Sequence, residues 1–118
     1  QDQINGENEI ISNAITYKSC MISIADLKIE NVRVVTAKAA DSMLNINGVR
    51  ASFVISKIKE GLINISARSL GEENVQLIAE KLGGGGHSTM AACQLEVESF
   101  EAALEKLKSA IDEYYNEK

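Results

Sequence analysis

The sequence has no proline, no tryptophan, one histidine and two cysteines in 118 residues. It shows no internal repeat either, so the alternation of strand-like and helix-like segments alone indicates the fold. No apolar run approaches the ~18 residues that span a bilayer, and no secretory signal is present. Cys20 and Cys93 have neither CxxC spacing nor a histidine cluster beside them. They read as two small buried hydrophobes in a reducing cytosol. The acidic residues are scattered along helices without ligand spacing, so no metal set is visible in this chain. No serine, threonine or cysteine has a histidine-plus-acid partner, and a nucleophilic triad finds no support. A GxxxxGK[ST] loop is missing, as is a GxGxxG after a strand.

What is present is ordinary for one globular domain: 45% hydrophobic and 25% charged residues, in a length that allows one core but not two. The formal net charge of −5 argues against a protein that tracks long nucleic acid. A small anionic ligand stays compatible with it, because local backbone dipoles hold anions without a positive global field. The chain begins "QDQING", without an initiator methionine, and is expected to be a segment of something longer. Residues 1–13 are expected as a polar linker or frayed segment, and residues 14–118 as the domain.

Within 14–118, "AITYKSCMISI" (14–24) predicts a strand over at least its second half, where Cys20, Ile22 and Ile24 alternate with Met21 and Ser23. Asn31 is expected to cap a helix along which Val32, Val35, Ala39, Ser42 or Met43, and Ile46 recur, closed by Asn47-Gly48. "RASFVISKI" and "LINISARS" predict a β-hairpin about the "KEG" turn. Asn74 caps a second helix ending at Gly83, "ACQLEV" is a half-buried strand, and Ser99 caps a final helix with Phe100, Leu104, Leu107, Ile111 and Tyr114 on one stripe. The class this predicts is α/β: a two-layer sandwich with a mixed β-sheet and packed helices, in a single small domain.

The stretch that demands chemistry is "EKLGGGGHSTMAA", residues 80–92. A helix C-terminus uses one glycine, Gly83, and leaves Gly84, Gly85 and Gly86 unexplained. An uninterrupted glycine run lets backbone N–H groups approach a ligand. His87, with Ser88 and Thr89 beside it, is then a natural donor to a phosphate or nucleobase. In "NISARSLG" (64–71), Asn64, Ser66 and Arg68 share the polar face of a strand. Arg68 falls at the strand end, where a guanidinium beside the next helix start donates to phosphate. Together these residues describe a phosphate-binding module without catalytic machinery of its own.

"ISARSLGEENVQLIAEKLGGGGHSTMAACQL", residues 65–95, resembles the C-terminal domain associated with DHH-family phosphoesterases. The upstream "AADSMLNINGVRASFVI" is similar to the branch that hydrolyses cyclic di-AMP in membrane-bound bacterial signalling proteins. The resemblance implies the substrate-binding lobe of a two-metal phosphodiesterase producing pApA, with a covalently linked DHH lobe carrying two manganese ions. That lobe's Asp-His-His tripeptide does not occur here, so the isolated chain is expected to be inactive. The implied ligand set is Ser66, Arg68, Ser69, Asn74, Gly84, Gly85, Gly86, His87, Ser88 and Thr89. The implied ligand is a cyclic dinucleotide or a short linear one, not long nucleic acid. Related nano-RNases read GGGHxxAAG, whereas Met90 and Ala92 stand here, and short oligoribonucleotides are the alternative substrate. An RNA-binding module and a self-associating domain, a homodimer included, are the competing classes. A cytoplasmic location is implied, in a parent carrying transmembrane helices.

Overall fold

The computed structural model describes residues 2–26 and 31–118; Gln1 and residues 27–30 of the two expected segments lie outside them. In chain order the elements are α1 (Asp2–Ser12), β1 (Ile15–Tyr17), β2 (Cys20–Ala25), α2 (Val32–Met43), β3 (Ala51–Lys59), β4 (Leu62–Ser69), α3 (Val75–Lys81), β5 (Gly85–Gly86), β6 (Met90–Leu95) and α4 (Phe100–Glu117). The strands form one sheet in the order β1-β2-β3-β4-β6-β5. Only β2 and β3 run parallel, joined through α2 as a crossover helix; the other neighbours are antiparallel. The α/β class and the mixed sheet are as predicted.

Helices cover both faces of this sheet, so the layers number three rather than the two expected. Period-2 alternation explains why. On one face Phe53, Ile55, Ile63 and Ile65 pack against Val75 and Ile78 of α3 and Leu107 and Ile111 of α4. On the other, Val54 and Ala25 meet Val35, Ala39 and Met43 of α2 and Ile10 of α1. That second face carries small polar residues as well. Ser52 donates to the Ala40 carbonyl at 2.5 Å and Ser23 to the Ile10 carbonyl at 2.6 Å, so their burial leaves no hydroxyl unpaired. Among the described residues, no helix is long and apolar enough to cross a membrane.

Several local expectations change. Residues 2–12, expected to be polar and frayed, form α1, because Ile10 gains a fully buried seat against α2 and β2. The first strand region is two strands, β1 and β2, split by a turn in which Lys18 takes φ +58°. Asn31 precedes α2 but does not cap it. Its φ of 60° is left-handed, and a capping side chain needs extended backbone to reach the following amides. The helix ends at Met43, where i→i+3 hydrogen bonds tighten the chain, so Ile46 leaves the stripe and is 36% exposed. Asn74 and Ser99 cap as predicted: the Asn74 carbonyl oxygen accepts from Gln76 N and Leu77 N, and Ser99 Oγ from Ala102 N.

Candidate functional site

The glycine run is neither a linker nor a free loop. Gly85 pairs with Ala92 and Gly86 with Ala91, and His87 and Met90 close the hairpin by exchanging both backbone hydrogen bonds, at 2.6 and 3.3 Å. Ser88 and Thr89 form its two-residue tip. Gly84 and Gly86 allow the two strands to approach this closely. A Cβ on Gly84 would lie 2.2 Å from the Ala92 carbonyl oxygen, and one on Gly86, whose φ is +147°, 2.5 Å from that of Met90. A Cβ on Gly85 would meet nothing within 4 Å.

Alternation along an antiparallel pair decides which backbone groups stay free. Because His87 and Met90 are a hydrogen-bonded pair, Gly86 and Ala91 are the neighbouring non-bonded pair, and the Gly86 N–H and C=O point away from β6. β5 is the last strand of the sheet, so these groups line its outer edge.

Register also decides which side chains meet. β4 pairs with β6 so that Arg68 stands opposite Met90, Ser66 opposite Ala92 and Asn64 opposite Gln94. Side chains directly opposite share a face, so Arg68, Ser66 and Asn64 lie beside Met90, Ala92 and Gln94, with Gly85 and His87 next in the same rows. The expected residues Ser66, Arg68, Gly85 and His87 are thus brought together on the α2 side of the sheet. The His87 side chain is exposed, and Met90 is half exposed.

The remaining expected residues stand behind this face. Ser69 is buried on the opposite side; its Oγ donates to the Ser88 carbonyl at 3.1 Å, and its N–H to the Thr89 carbonyl at 3.0 Å. Val75 N also donates to Ser88 O, at 3.0 Å, so the hairpin tip is stapled to the start of α3. The Asn74 side chain is committed to capping α3. Arg68 is fixed as well. Nη1 donates to the Ala67 carbonyl, and its side chain is only 12% exposed. Nε lies 3.0 Å from Asp41 Oδ1 of α2 yet makes no aligned hydrogen bond, so that contact is Coulombic and the guanidinium keeps donors for another anion.

Glu73 carried no sequence signal beyond its place in "GEEN", yet it anchors this arrangement from below. Its carboxylate is buried and accepts from Tyr115 at 2.8 Å, Lys118 at 2.7 Å and Tyr114 at 3.3 Å; Tyr114 Oη in turn accepts from Asn74 N. Burial works against its charge, but Lys118, Tyr115 and Arg50 outweigh that and hold the carboxyl below its ordinary range. Tyr115, half-buried and beside Cys20 and Glu73, is shifted upward, first by its partial burial. Tyr114, expected on the apolar stripe of α4, and its neighbour Tyr115 therefore tie α4 to the turn beneath the hairpin.

Among the described residues, no group of three or more His, Cys, Asp or Glu could hold a metal ion. The donor set here does not fit a manganese pair. A depression of about 460 Å³ lies between α3 and α4 and includes Lys81. That lysine is already paired with Glu113 and Glu117, and no expected site residue lines the depression.

Residues 18–113 match the DHHA1 domain, and the chain belongs to that family. It is 49% identical over 112 residues to the cyclic-di-AMP phosphodiesterase GdpP of Bacillus subtilis, a match covering 91% of this chain and 17% of that protein. Over 82 residues it is 56% identical to the cyclic-di-AMP phosphodiesterase PdeA of Listeria monocytogenes, covering 70% and 12%. The chain thus spans less than a fifth of either relative's length. In fold it is similar to an exopolyphosphatase-related protein from Bacteroides fragilis, with a TM-score of 0.83 at 21% identity, over 97% of this chain and 35% of that one.

Proposed function

We propose that this chain is the substrate-binding lobe of a two-metal phosphodiesterase that hydrolyses cyclic di-AMP to pApA. The metals belong to a covalently linked DHH lobe, and this chain binds and orients the nucleotide. The observation that carries the proposal is the register of β4, β5 and β6, which sets Arg68, Ser66, the Gly85–Gly86 edge and His87 in neighbouring rows, with Ser66 buried, Arg68 nearly so, and Gly86 and His87 exposed at the rim. Identities of 49% and 56% to cyclic-di-AMP phosphodiesterases support the substrate.

In this arrangement Arg68, held by Asp41 and the Ala67 carbonyl, gives a charge-assisted hydrogen bond to a phosphate oxygen. The outward Gly86 N–H adds a backbone donor. His87 donates a hydrogen bond that orients the scissile group, and Ser66 supplies a hydroxyl in the next row. Fixing donors before the ligand arrives lowers the ordering cost of binding, which is how a lobe without a nucleophile contributes to rate.

Amide NMR titration of the chain with cyclic di-AMP, then pApA, with ATP as control, tests this directly. Selective saturable shifts at residues 83–89 and around Arg68 are expected. No response to either dinucleotide would overturn the assignment. Preference for longer RNA with steep salt dependence would replace it with an oligoribonucleotide-binding lobe.

A further inference from the structure

The face that carries Arg68 and Ser66 continues past them. One row further along β4, Asn64 stands opposite Gln94, and there the surface opens into a groove of about 360 Å³ lined by Asn64, Gln94, Arg33 and Gly83-Gly84. That volume lies within the range of small-ligand sites. Helix α2 runs beside this strip. Asp41 near its C-terminal end meets Arg68, and Arg33 near its N-terminal end meets the groove. From Arg33 to Asp41 the helix rises about 12 Å, and from Asn64 to Arg68 the strand rises about 13 Å. Helix and strand are therefore matched in length, with an arginine at each end of the strip between them.

The two arginines differ in their commitments. Arg68 is nearly buried and paired with Asp41. Arg33 is exposed, and among the described residues no carboxylate lies within ion-pair distance of it. The first turn of α2 carries no acidic side chain, and Asn31 does not cap it. A cation, a helix start that Asn31 does not cap and the side-chain amides of Gln94 and Asn64 thus border one polar groove. Gln94 is exposed; Asn64 is buried and donates from Nδ2 to Ser66 Oγ at 3.2 Å but keeps its Oδ1. Asn and Gln amides match the donor–acceptor edge of a nucleobase, and a guanidinium matches phosphate.

We infer that this groove is a second nucleotide subsite: Arg33 binds a phosphate, and Asn64 with Gln94 binds the edge of a base, while the Arg68–hairpin end holds the other nucleotide. This rests on the chain being a dinucleotide-binding lobe. On this reading a dinucleotide engages both ends of the strip, whereas a mononucleotide fills only one.

The test compares pApA with AMP by amide NMR titration of the parent chain, Arg33→Ala, Arg33→Lys and Gln94→Leu. Both residues are exposed, so the variants are expected to keep the parent's spectral dispersion. The parent should bind pApA more tightly than AMP, with shifts at residues 83–84 and 92–94 as well as in the hairpin. Arg33→Ala should weaken pApA binding about tenfold or more and leave AMP within about twofold. Arg33→Lys should recover part of the loss, and Gln94→Leu should weaken pApA severalfold. If pApA binds the parent through the hairpin but Arg33→Ala and Gln94→Leu bind it equally well, the subsite is wrong and the substrate-lobe assignment survives. Equal losses for AMP and pApA would make the groove part of one mononucleotide site and overturn the second subsite. A parent that binds neither nucleotide overturns both.

Discussion

Gly84 and Ala92 approach so closely that a single methyl group on Gly84 would sit 2.2 Å from the Ala92 carbonyl oxygen and 2.5 Å from Cys93 Cβ. Backbone cannot swing aside as a long side chain can. Gly84→Ala should therefore destabilise the domain by about 3 kcal/mol, lowering the melting temperature by roughly 10 °C. Gly85, one residue on, faces open space. Gly85→Val should melt close to the parent yet lose nucleotide binding, because the branched side chain fills the surface beside Ser66 and Ala92. Thermal melts paired with titrations check both, and a Gly85→Val variant that binds normally would return the run to a purely structural role.

Arg68→Ala should weaken cyclic di-AMP or pApA binding by ~1.5–3 kcal/mol, the worth of a charge-assisted hydrogen bond. Stability should change little, because the Asp41 carboxylate it abandons is already 62% exposed and rehydrates. Asp41→Asn tests the anchoring role separately: the guanidinium stays but loses its Coulombic hold. A smaller loss of affinity than in Arg68→Ala is expected by calorimetry.

Glu73 ties acid stability to the site. Its folded carboxyl is held below the ordinary value of about 4.3, so its contribution is present above that value and fades as pH falls through the lowered one. Glu73→Gln should cost about 1–3 kcal/mol at pH 7 and flatten the fall in stability below pH 5, measured by denaturant unfolding at several pH values. A parent-like pH slope in that variant would show that Glu73 does not titrate in step with unfolding.

Cys93 packs against the Gly84 backbone, and burial pushes its thiol up to about 11; Cys20 is raised in the same direction, first by burial. Only the thiolate attacks an alkylating reagent or aromatic disulfide. At pH 8 both thiols should react at least about a hundredfold more slowly in the folded chain than in denaturant, read by a colorimetric thiol assay. Fast reaction of either one under native conditions would show that the glycine hairpin opens readily.

Much of the fold was legible along the chain because its signals are local. The β3–β4 hairpin follows from alternating β-branched residues about a Lys-Glu-Gly turn, and the Asn74 and Ser99 caps follow from side chains that bond amides two or three residues away. The candidate residues Arg68, Ser66 and His87 were visible in the same way, as polar side chains in an otherwise apolar or glycine-rich pattern.

Tertiary structure alone decided the rest. Asn31 reads as a cap, but its left-handed backbone denies it that bond. The four glycines read as a loop; pairing with β6 makes Gly85 and Gly86 an edge strand, while Gly84 and Gly86 pack closely on β6 and a Cβ on Gly85 would meet open space. Glu73 lies in a turn with no periodicity to mark it, and Arg33 is an ordinary polar position of a periodic helix; what each of them meets lies more than 30 residues away in sequence, Tyr115 and Lys118 for one, the groove of Asn64 and Gln94 for the other. The sequence by itself determined which segments could be strands and helices, because propensity, capping and alternation act over a few residues. Which faces those elements turn to one another, and hence which candidate residues meet, depends on register and on contacts between distant segments, which only the folded chain supplies.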